Sequence, residues 1–388
     1  MRTFYRMRKI CVVIGSRANY SSIKSAMKAI QDHQDLELQL VLGASALLDR
    51  YGEVAKQIKK DGFDPTAKVF MLIEGETPTT MAKSTGVGLM ELPTIFERLQ
   101  PDIVLTVGDR FETMATTLAA AYMNLPVAHT MGGEVSGTID ESIRHAVTKF
   151  AHIHFPSSQE AKERIIKLGE REEDVYLVGC PRIDLVAETL KGSLEGLEKS
   201  LEEGVGEKIN IDEPFILVSQ HPVTTEYGKG EKQITMTMEA VSKIGLPAIV
   251  LWPNADAGSD DIARGMRKWR EKKLDKNMHF YNNLPVEHYI HLMNNTVCLV
   301  GNSSSGIREG AFIGTPVVNI GTRQNMRERG NNVIDVPYDM DQISKALEKQ
   351  MTQKNYGTDP IYGDGTAGTL IADILSSCTW KIQKRITF

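Results

Sequence analysis

Short apolar runs alternate with amphipathic stretches along the chain, and no other feature limits its fold as strongly. In the first half, the runs predicted to be buried strands are residues 9–14, 36–42, 103–107, 127–130 and 175–178. Amphipathic helices are predicted between them, for example at residues 21–30 and 111–123. Strands that alternate with helices form a parallel sheet with helices on its faces. The first half is therefore predicted to be a doubly wound α/β domain.

The alternation restarts after a polar stretch rich in glutamate and glycine near residues 192–206. The strands predicted beyond it are residues 215–219, 248–252, 279–281, 297–301 and 316–320, with a closing helix at 366–377. A chain of 388 residues exceeds the roughly 250 to 300 residues that one core supports. We predict two Rossmann-like domains, residues 7–180 and 181–365, and a terminal segment, residues 366–388, that packs back on the first domain.

The composition excludes several classes of protein. Apolar residues make up 41% of the chain and charged residues 24%, as in ordinary globular proteins. The net charge of −5 gives no field that attracts nucleic acid or an anionic membrane. No apolar run approaches the ~20 residues that cross a bilayer, and the basic start leads into a strand rather than a signal-peptide core. We expect a cytoplasmic protein with neither nucleic acid nor membrane as a partner.

Cysteine spacing excludes two further kinds of site. The four cysteines, Cys11, Cys180, Cys298 and Cys378, are scattered and form no C-x-x-C pair. Disulfide frameworks and structural zinc sites depend on recognisable cysteine spacings. We expect these four side chains to be small buried hydrophobic groups.

The strongest local motif is G-N-S-S-S-G-I-R-E at residues 301–309, between a predicted strand and an amphipathic stretch. Small residues at a helix start expose backbone N–H groups, which together with hydroxyl donors favour a diphosphate. Serines at a helix start are also ordinary capping residues. Phosphate binding is the better interpretation, because Glu309 lies one to two turns further and is suited to accept hydrogen bonds from ribose hydroxyls.

Two motifs of the first domain also follow predicted strands. G-S-R-A-N-Y-S at residues 15–21 contains Arg17, whose planar guanidinium suits phosphate oxygens, although a loop arginine is more often a solvated surface charge. The motif lacks the full G-x-G-x-x-G of dinucleotide-binding proteins, so NAD is not supported.

Asp109 and Arg110 follow the strand predicted at residues 103–107. Asp109 is either a helix cap or an active-site group, and the second is favoured because ligands bind at this edge of a parallel sheet.

The densest set of polar residues lies between His129 and His145. This glycine-rich stretch holds three carboxylates, two histidines and an arginine within 17 residues. Such side chains are poor core material and require solvent, a ligand or mutual pairing. Residues 138–141 also match the S/T-x-x-E capping box, so helix capping competes with catalysis for Glu141.

Polar clusters follow strands in the second domain as well. They are Gln220-His221-Pro222, residues 254–259, and Arg323 after Gly321-Thr322. A lone histidine is usually structural. Several independent clusters at the carboxyl ends of strands favour a ligand site at that edge.

Together these residues resemble the UDP-N-acetylglucosamine 2-epimerase family, and its hydrolysing branch most of all. The resemblance rests on residues 132–146, 220–225, 253–259 and 301–309, and it extends from about residue 8 to residue 365. It implies the glycosyltransferase-B architecture, with the active site in the cleft between the domains. It also implies a homodimer or homotetramer that needs neither NAD nor a metal ion.

The reaction implied by this resemblance converts UDP-N-acetylglucosamine and water into N-acetylmannosamine and UDP, as in sialic acid and surface-polysaccharide synthesis. UDP leaves by anti elimination with loss of the C2 proton, and water then adds to the 2-acetamidoglucal intermediate from the other face at C2. A carboxylate must take the C2 proton, an acid must supply one on hydration, and cations must stabilise the departing diphosphate.

The resemblance also assigns individual residues. The positions that match UDP contacts are Arg17, Ser21, Arg110, His221, Ser303, Ser304, Glu309 and Arg323, with Asn254 and Asp256 on the uridine side. The positions that match the sugar-facing catalytic set are Asp109, Glu134, Asp140, Glu141, Arg144 and His145.

The chain departs from the family pattern at three positions. Many relatives carry an acidic residue at the position of Met131, a histidine at that of Val107, and a histidine near Ala46. Methionine cannot exchange a proton, so any scheme that uses a carboxylate at position 131 fails here. We hypothesise that Glu134 or His129 takes over this role.

Several other activities fit parts of the same pattern. A glycosyltransferase would use the same fold and UDP contacts but needs an acceptor site. A non-hydrolysing epimerase typically has G-L-R at the position of Gly133-Glu134-Val135. A hydrolysing UDP-N,N'-diacetylbacillosamine 2-epimerase shares much of the pattern. A sensor of nucleotide sugars would keep the binding residues and lack the proton carriers.

Overall fold

The computed structural model describes residues 6–49, 53–75, 77–137, 139–192, 196–253, 258–282 and 284–387. The chain forms two compact units. The first contains Met1–Glu134, Asp140–Leu185 and Tyr362–Phe388, and the second contains Val135–Ile139 and Val186–Ile361. The change of unit after Leu185 lies a few residues beyond the boundary predicted at position 181, and the described residues of the segment 135–139 group with the second unit.

The first unit is built on a parallel sheet of six strands, counted over the described residues. They are β1 (Arg8–Ile14), β2 (Leu36–Gly43), β3 (Ala67–Val69), β4 (Ile103–Val107), β5 (Val127–Thr130) and β6 (Ile153–Phe155). Their spatial order is β3-β2-β1-β4-β5-β6. The order reverses between β1 and β4, and doubly wound sheets bind ligands at this switch point, outside the carboxyl ends of the strands.

Helices cover both faces of this sheet. Those of the first part of the chain are α1 (Arg17–Ser21), α2 (Lys24–Asp32), α3 (Val54–Lys60), α4 (Pro78–Leu99), α5 (Phe111–Tyr122), α6 (Asp140–Phe150), α7 (Gln159–Lys167) and α8 (Pro181–Lys191). Successive side chains of a strand point to opposite faces. Accordingly Ile10 and Val12 belong to one apolar core and Cys11 and Val13 to the core on the other face.

The second unit repeats this topology. Its strands are β7 (Val205–Gly206), β8 (Ile216–Ser219), β9 (Ala248–Leu251), β10 (Met278–Tyr281), β11 (Cys298–Gly301), β12 (Val317–Ile320) and β13 (Val333–Val336). The order is β13-β12-β11-β8-β9-β10-β7, and all pairs are parallel except β10 with β7. Apart from β7 this is the strand order of the first sheet, so the second switch point lies between β8 and β11.

The helices of the second unit complete the same layers. They are α9 (Leu197–Glu202), α10 (Gly230–Ile244), α11 (Ser259–Glu271), α12 (Val286–Asn295), α13 (Glu309–Ile313) and α14 (Met340–Met351). The last helix of the chain, α15 (Ala367–Ser377), belongs to the first unit.

The prediction of two doubly wound α/β domains is confirmed by these sheets. The strand predicted at residues 175–178 is wrong, because that stretch makes a single bridge, between Val175 and His154. Farther along, Cys180 N donates to the Tyr362 carbonyl at 2.7 Å. Four short strands in the described part of the chain were not predicted from the sequence. In β3, β6 and β13 a lysine, a histidine or an aspartate interrupts the apolar run, and β7 lies in the polar stretch between the domains.

The helix predicted at residues 21–30 is found as α2 (Lys24–Asp32), and Ser21 instead ends the short helix α1 (Arg17–Ser21). The Ser21 and Ser22 hydroxyls both donate to the Ala18 carbonyl, at 3.2 and 2.7 Å. Serine hydroxyls that bond to the backbone in this way compete with the regular helical pattern. The chain consequently breaks between the two helices at Ser22 and Ile23.

Helix α15 packs on α2 and is fastened at both ends. Ile371 and Leu375 lie in the same apolar core as Met27. At the start of α15, the Asp184 carboxylate accepts from Ala367 N and Gly368 N, at 3.0 and 2.6 Å. At its end, Arg8 donates to the Cys378 carbonyl at 3.0 Å.

A buried carboxylate, Glu170, gathers three cationic or ionisable groups near the end of α6. Its oxygens lie 2.5 Å from Lys149 Nζ, 2.6 Å from Lys384 Nζ and 3.2 Å from His154 Nε2. Burial acts to raise the pKa of Glu170, but the bonds from His154, Lys149 and Lys384 outweigh it and lower the pKa from 4.5 to about 2.

Glu170→Gln is expected to remove a pH-dependent part of the stability. Because the pKa of Glu170 is lower in the folded than in the unfolded state, its contribution is complete above pH 4.5 and is lost as the pH falls towards 2. The shift corresponds to at most about 3 kcal/mol at pH 7, and roughly half of that at pH 3. Urea unfolding at both pH values measures it. Glu163→Gln, at an exposed site on α7, is the control, and a difference from wild type that does not change with pH would contradict the prediction.

Candidate active site

Polar motifs follow both strands that flank the switch point of the first unit. The loop after β1 leads into α1, where the Ser16 hydroxyl accepts from Asn19 N at 3.2 Å and Gly15 N donates to Asn19 Oδ1 at 3.2 Å. These bonds fix the loop that carries Arg17, the first residue of α1. Ser21, at the end of α1, is buried and donates to its own helix backbone.

Arg144, in the middle of α6, connects the polar residues that follow β4 and β5. Its side chain is 1% exposed and forms an ion pair with Asp109, which follows β4. It pairs with Glu141 Oε2 at 2.9 Å and donates to the Glu134 carbonyl at 2.8 Å. Burial acts to lower the pKa of Arg144, but Asp109, Glu134 and Glu141 raise it overall, so the guanidinium stays charged.

Glu141 and His145 form the more accessible part of this network. The second carboxylate oxygen of Glu141 lies 2.8 Å from His145 Nε2. The two side chains are 31% and 25% exposed, whereas Arg144 is fully covered. A carboxylate–imidazole pair that solvent or ligand can reach is suited to general acid–base catalysis. Asp140 begins the same helix and is half-buried. Thr138, the first residue of the predicted capping box, lies outside the described residues.

His129 is a structural residue, and the structure does not favour the hypothesis that it exchanges protons. The side chain is fully buried, with Nε2 2.8 Å from the Gly108 carbonyl and Nδ1 3.4 Å from Thr148 Oγ1. Burial is the main cause that lowers the pKa of His129 to about 3, so the ring is neutral. Met131 is also buried, with a φ of +62°. Glu134 follows in the same loop at 3% exposure.

In the second unit the Asn302 side chain joins the loops that follow β8 and β11. Its Nδ2 donates to the His221 carbonyl at 2.9 Å, and His221 N donates to its Oδ1 at 2.7 Å. Gly301 permits this approach: its φ is +134°, and an added Cβ would lie 2.1 Å from the Ser219 carbonyl oxygen. His221 itself is buried.

A chain of hydroxyl groups supports the serine motif. The Tyr289 hydroxyl lies 2.6 Å from Ser305 Oγ, which lies 2.8 Å from Ser303 Oγ. Ser303 and Ser304 are partly exposed at the carboxyl edge of β11. The predicted helix start is a 3₁₀ turn over Ser304–Gly306, and Glu309 is the buried first residue of α13 rather than a residue one to two turns into a helix.

The loop after β12 closes the same cluster. Arg323 Nη1 and Gln324 Nε2 both donate to the Asn302 carbonyl, at 3.2 and 2.9 Å. Gly137 N, in the part of the 135–139 segment that packs with this unit, donates to the Arg323 carbonyl at 3.1 Å. His221, Ser303, Ser304 and Arg323 therefore gather around Asn302. Asn254 and Asp256 lie outside the described residues.

Three other features of the described residues bear on ligand classes. No group of three or more His, Cys, Asp or Glu side chains in the described ranges is arranged to hold a metal ion. Within the same ranges, no helix has the length and apolar character needed to cross a membrane. All four cysteines are buried, as predicted, and burial raises the pKa of Cys11 to about 12.

Comparison with known proteins places this arrangement in a family. The family model for UDP-N-acetylglucosamine 2-epimerase matches residues 28–376. The chain belongs to the UDP-N-acetylglucosamine 2-epimerase family. The resemblance found in the sequence motifs is thereby confirmed at the level of the family.

Individual epimerases match over nearly their whole length. The UDP-N,N'-diacetylbacillosamine 2-epimerase (hydrolyzing) of Legionella pneumophila is 32% identical, over 92% of this chain and 93% of its own. The UDP-N-acetylglucosamine 2-epimerase of Neisseria meningitidis serogroup B is 29% identical over 98% of both. A crystal structure of UDP-GlcNAc 2-epimerase from Neisseria meningitidis bound to UDP-GlcNAc has a TM-score of 0.79 at 18% identity, over 95% of this chain and 99% of that one. This last similarity supports the fold.

Some residues of this epimerase-family chain that hold the predicted site residues in place were not predicted from the sequence. Arg110 Nε donates to Glu112 Oε1 at 2.8 Å, and the Glu112 side chain is 3% exposed. Glu112 also packs against Gly15, where an added Cβ would lie 2.3 Å from its Cγ. The position of Glu112, two residues after Arg110, was the sequence signal that could have identified it. Tyr289, by contrast, reads in the sequence as an ordinary residue of an amphipathic helix.

Gly15→Ala is expected to destabilise the protein by roughly 1 to 3 kcal/mol, because the new methyl group overlaps the Glu112 side chain. In the Glu112→Ala background the same change should have a much smaller effect. Urea unfolding of the four proteins gives the coupling. As a control, Gly86→Ala in α4 meets no described atom outside its own helix within 4 Å, so it should stabilise by up to about 1 kcal/mol. An equal effect of Gly15→Ala in both backgrounds would show that the contact with Glu112 is unimportant.

Proposed function

We propose that the protein is a hydrolysing UDP-sugar 2-epimerase that converts UDP-N-acetylglucosamine and water into N-acetylmannosamine and UDP. The observation that carries the proposal is the network of Asp109, Arg144, Glu141 and His145 in a chain of this family. It combines carboxylates, a buried guanidinium and a partly exposed imidazole at the carboxyl edge of a parallel sheet.

The second unit supplies the groups that suit the nucleotide. Ser303 and Ser304 offer hydroxyl and backbone donors, and Arg323 offers a positive charge beside them. Such donors stabilise the negative charge that develops on a departing diphosphate. The Neisseria meningitidis structure with UDP-GlcNAc, which shares this fold, supports a UDP-sugar as the ligand. We assign Glu309 to the ribose hydroxyls, because the resemblance implies that it contacts UDP and its carboxylate is suited to accept hydrogen bonds from them.

The first unit supplies the groups that suit the sugar. In the elimination step a carboxylate removes the C2 proton, the C2–H electrons form the C1–C2 double bond, and the C1–O electrons leave with UDP. In the hydration step the water oxygen adds to C1 and a proton adds to C2 from the other face. Arg144 favours the ionised forms of Asp109 and Glu141.

We assign to Glu134 the proton exchange that a scheme with an acidic residue at position 131 would give to that residue. Met131 has no acidic group, and both ring nitrogens of His129 are engaged, with the Gly108 carbonyl and the Thr148 hydroxyl. Glu134 lies three residues after Met131 in the same loop, and its carbonyl is held by Arg144. The Glu141–His145 pair is our candidate for the second proton transfer.

Two observations support hydrolysis over simple epimerisation. The chain has Gly133-Glu134-Val135 where non-hydrolysing epimerases typically have G-L-R. The Legionella pneumophila relative, 32% identical, is a hydrolysing enzyme by its name. That name also favours a second candidate substrate, UDP-N,N'-diacetylbacillosamine, with the same reaction at C2.

The proposed reaction predicts a specific product in deuterium oxide. Purified protein with UDP-N-acetylglucosamine, without added metal or NAD, should release UDP and free N-acetylmannosamine with deuterium at C2, which proton NMR detects. If only UDP-N,N'-diacetylbacillosamine is converted, the second candidate is correct. Formation of UDP-N-acetylmannosamine, or no turnover of either nucleotide sugar, would contradict hydrolysis.

Glu134→Gln is expected to lower kcat by about 10²- to 10⁴-fold, because loss of a positioned general acid or base has effects of that size. UDP affinity, measured by calorimetry, should stay close to wild type, since the nucleotide contacts lie on other residues. Glu163→Gln on α7 is a matched control with an exposed carboxylate. Unchanged turnover in a folded Glu134→Gln variant would exclude this assignment.

A further inference from the structure

We propose that Lys384, in the segment after α15, is a positioning residue that holds α6 where its catalytic side chains need to be. The inference rests on the proposed function, because α6 carries Asp140, Glu141, Arg144 and His145. Lys384 contacts the opposite end of the helix from Asp140. Neither the sequence motifs nor the family resemblance drew attention to it.

The Lys384 ammonium caps the C-terminus of α6. It donates to the carbonyl oxygens of Thr148 and Lys149, at 3.3 and 2.9 Å, and to that of Ala151. The helix ends at Phe150, so these are carbonyls of its last turn and of the residue just beyond. The last four carbonyls of a helix have no donor within it, and a cation at this end also favours the helix dipole.

The same ammonium is held in place from its other side. It lies 2.6 Å from Glu170 Oε2, and Glu170 in turn contacts Lys149 and His154. Lys384 thereby connects the end of α6 to β6 through its ion pair with Glu170 and the contact of Glu170 with His154. The lysine side chain is 24% exposed and Glu170 is 4% exposed, so solvent screens this pair much less than a surface salt bridge.

The backbone on both sides of Lys384 is also fixed. Thr387 N donates to the Gly169 carbonyl at 3.0 Å, and the Ile382 carbonyl lies 3.1 Å from His152 Nε2. Earlier in the same segment, the centroid of the Trp380 ring lies 5.1 Å from Cζ of the Arg8 guanidinium. The ammonium therefore approaches α6 from a segment with attachments of its own rather than from a free tail.

A short series of contacts leads from the capped end of α6 to the catalytic network. The Thr148 hydroxyl donates to the Arg144 carbonyl at 3.1 Å and lies 3.4 Å from His129 Nδ1. Arg144 is one turn before Thr148, and its guanidinium pairs with Asp109 and Glu141. A shift of the last turn would therefore move the groups on which the proposed proton transfers depend. Small displacements of this kind reduce rates strongly.

The test compares three variants of the full chain. Lys384→Met should lower kcat about tenfold and leave the KM for the UDP-sugar nearly unchanged, because the serines and Arg323 belong to the other unit. Lys384→Arg keeps the charge and should recover most of the lost kcat. Lys381→Met, at an exposed lysine of the same segment, is the control and should behave as wild type.

Hydrogen exchange supplies a readout that does not need activity. The amides in the last turn of α6 should exchange faster in Lys384→Met than in Lys381→Met, and Lys384→Arg should restore their protection. Faster exchange together with a selective loss of kcat supports the inference. Unchanged exchange, or a kcat in Lys384→Met equal to that of the control, would overturn it. If the wild-type protein converts neither nucleotide sugar, the proposed function fails, whereas the exchange of α6 still decides whether Lys384 holds the helix.

Discussion

The buried guanidinium of Arg144 is the interaction on which the polar part of the first unit depends. An unpaired charge at 1% exposure would be severely unfavourable, and pairing with Asp109 and Glu141 offsets this. The Glu134 carbonyl accepts from the same group. Three separate pieces of chain, the loops after β4 and β5 and helix α6, are therefore held by one cation. Because the loss of any partner leaves charge uncompensated, the arrangement tolerates little variation in where its carboxylates lie.

In the second unit the corresponding contacts are made mainly by neutral groups. The Asn302 side-chain amide binds the loop after β8, its carbonyl accepts from Gln324 after β12, and hydroxyl groups of Tyr289 and Ser305 support Ser303. This difference suits the two proposed tasks. Proton transfer requires carboxylates whose charge is controlled, whereas an anion is bound best by donors that are not already paired with carboxylates. The two units share a strand order, but the side chains at their switch points differ in this respect.

The sequence located candidate site residues best where they directly follow a strand. Apolar runs located β4, β5, β8 and β11, and the polar residues just after them include Asp109, Glu134, His221 and Ser303. Residues that act through distant contacts could not be found this way, because their partners are remote in sequence: Lys384 binds carbonyls more than 230 residues earlier. The sequence also did not reveal which of these side chains are buried. His129 looked as reactive as His145 in the sequence, yet the first is fully enclosed and the second is 25% exposed.

The burial of His129 also limits how the proposed chemistry can proceed. With both ring nitrogens engaged and its pKa lowered to about 3, mainly by burial, the ring serves to join β5, the loop after β4 and α6. Met131 carries no proton. In our mechanism the transfers at C2 therefore fall to Glu134 and to the Glu141–His145 pair, which Arg144 brings into one network. Glu141 and His145 are one turn apart on α6, so their mutual bond forms within the helix. In our mechanism the placement of that helix sets their distance from the substrate. On our proposal the contacts at the far end of α6 therefore contribute to catalysis as well as to packing.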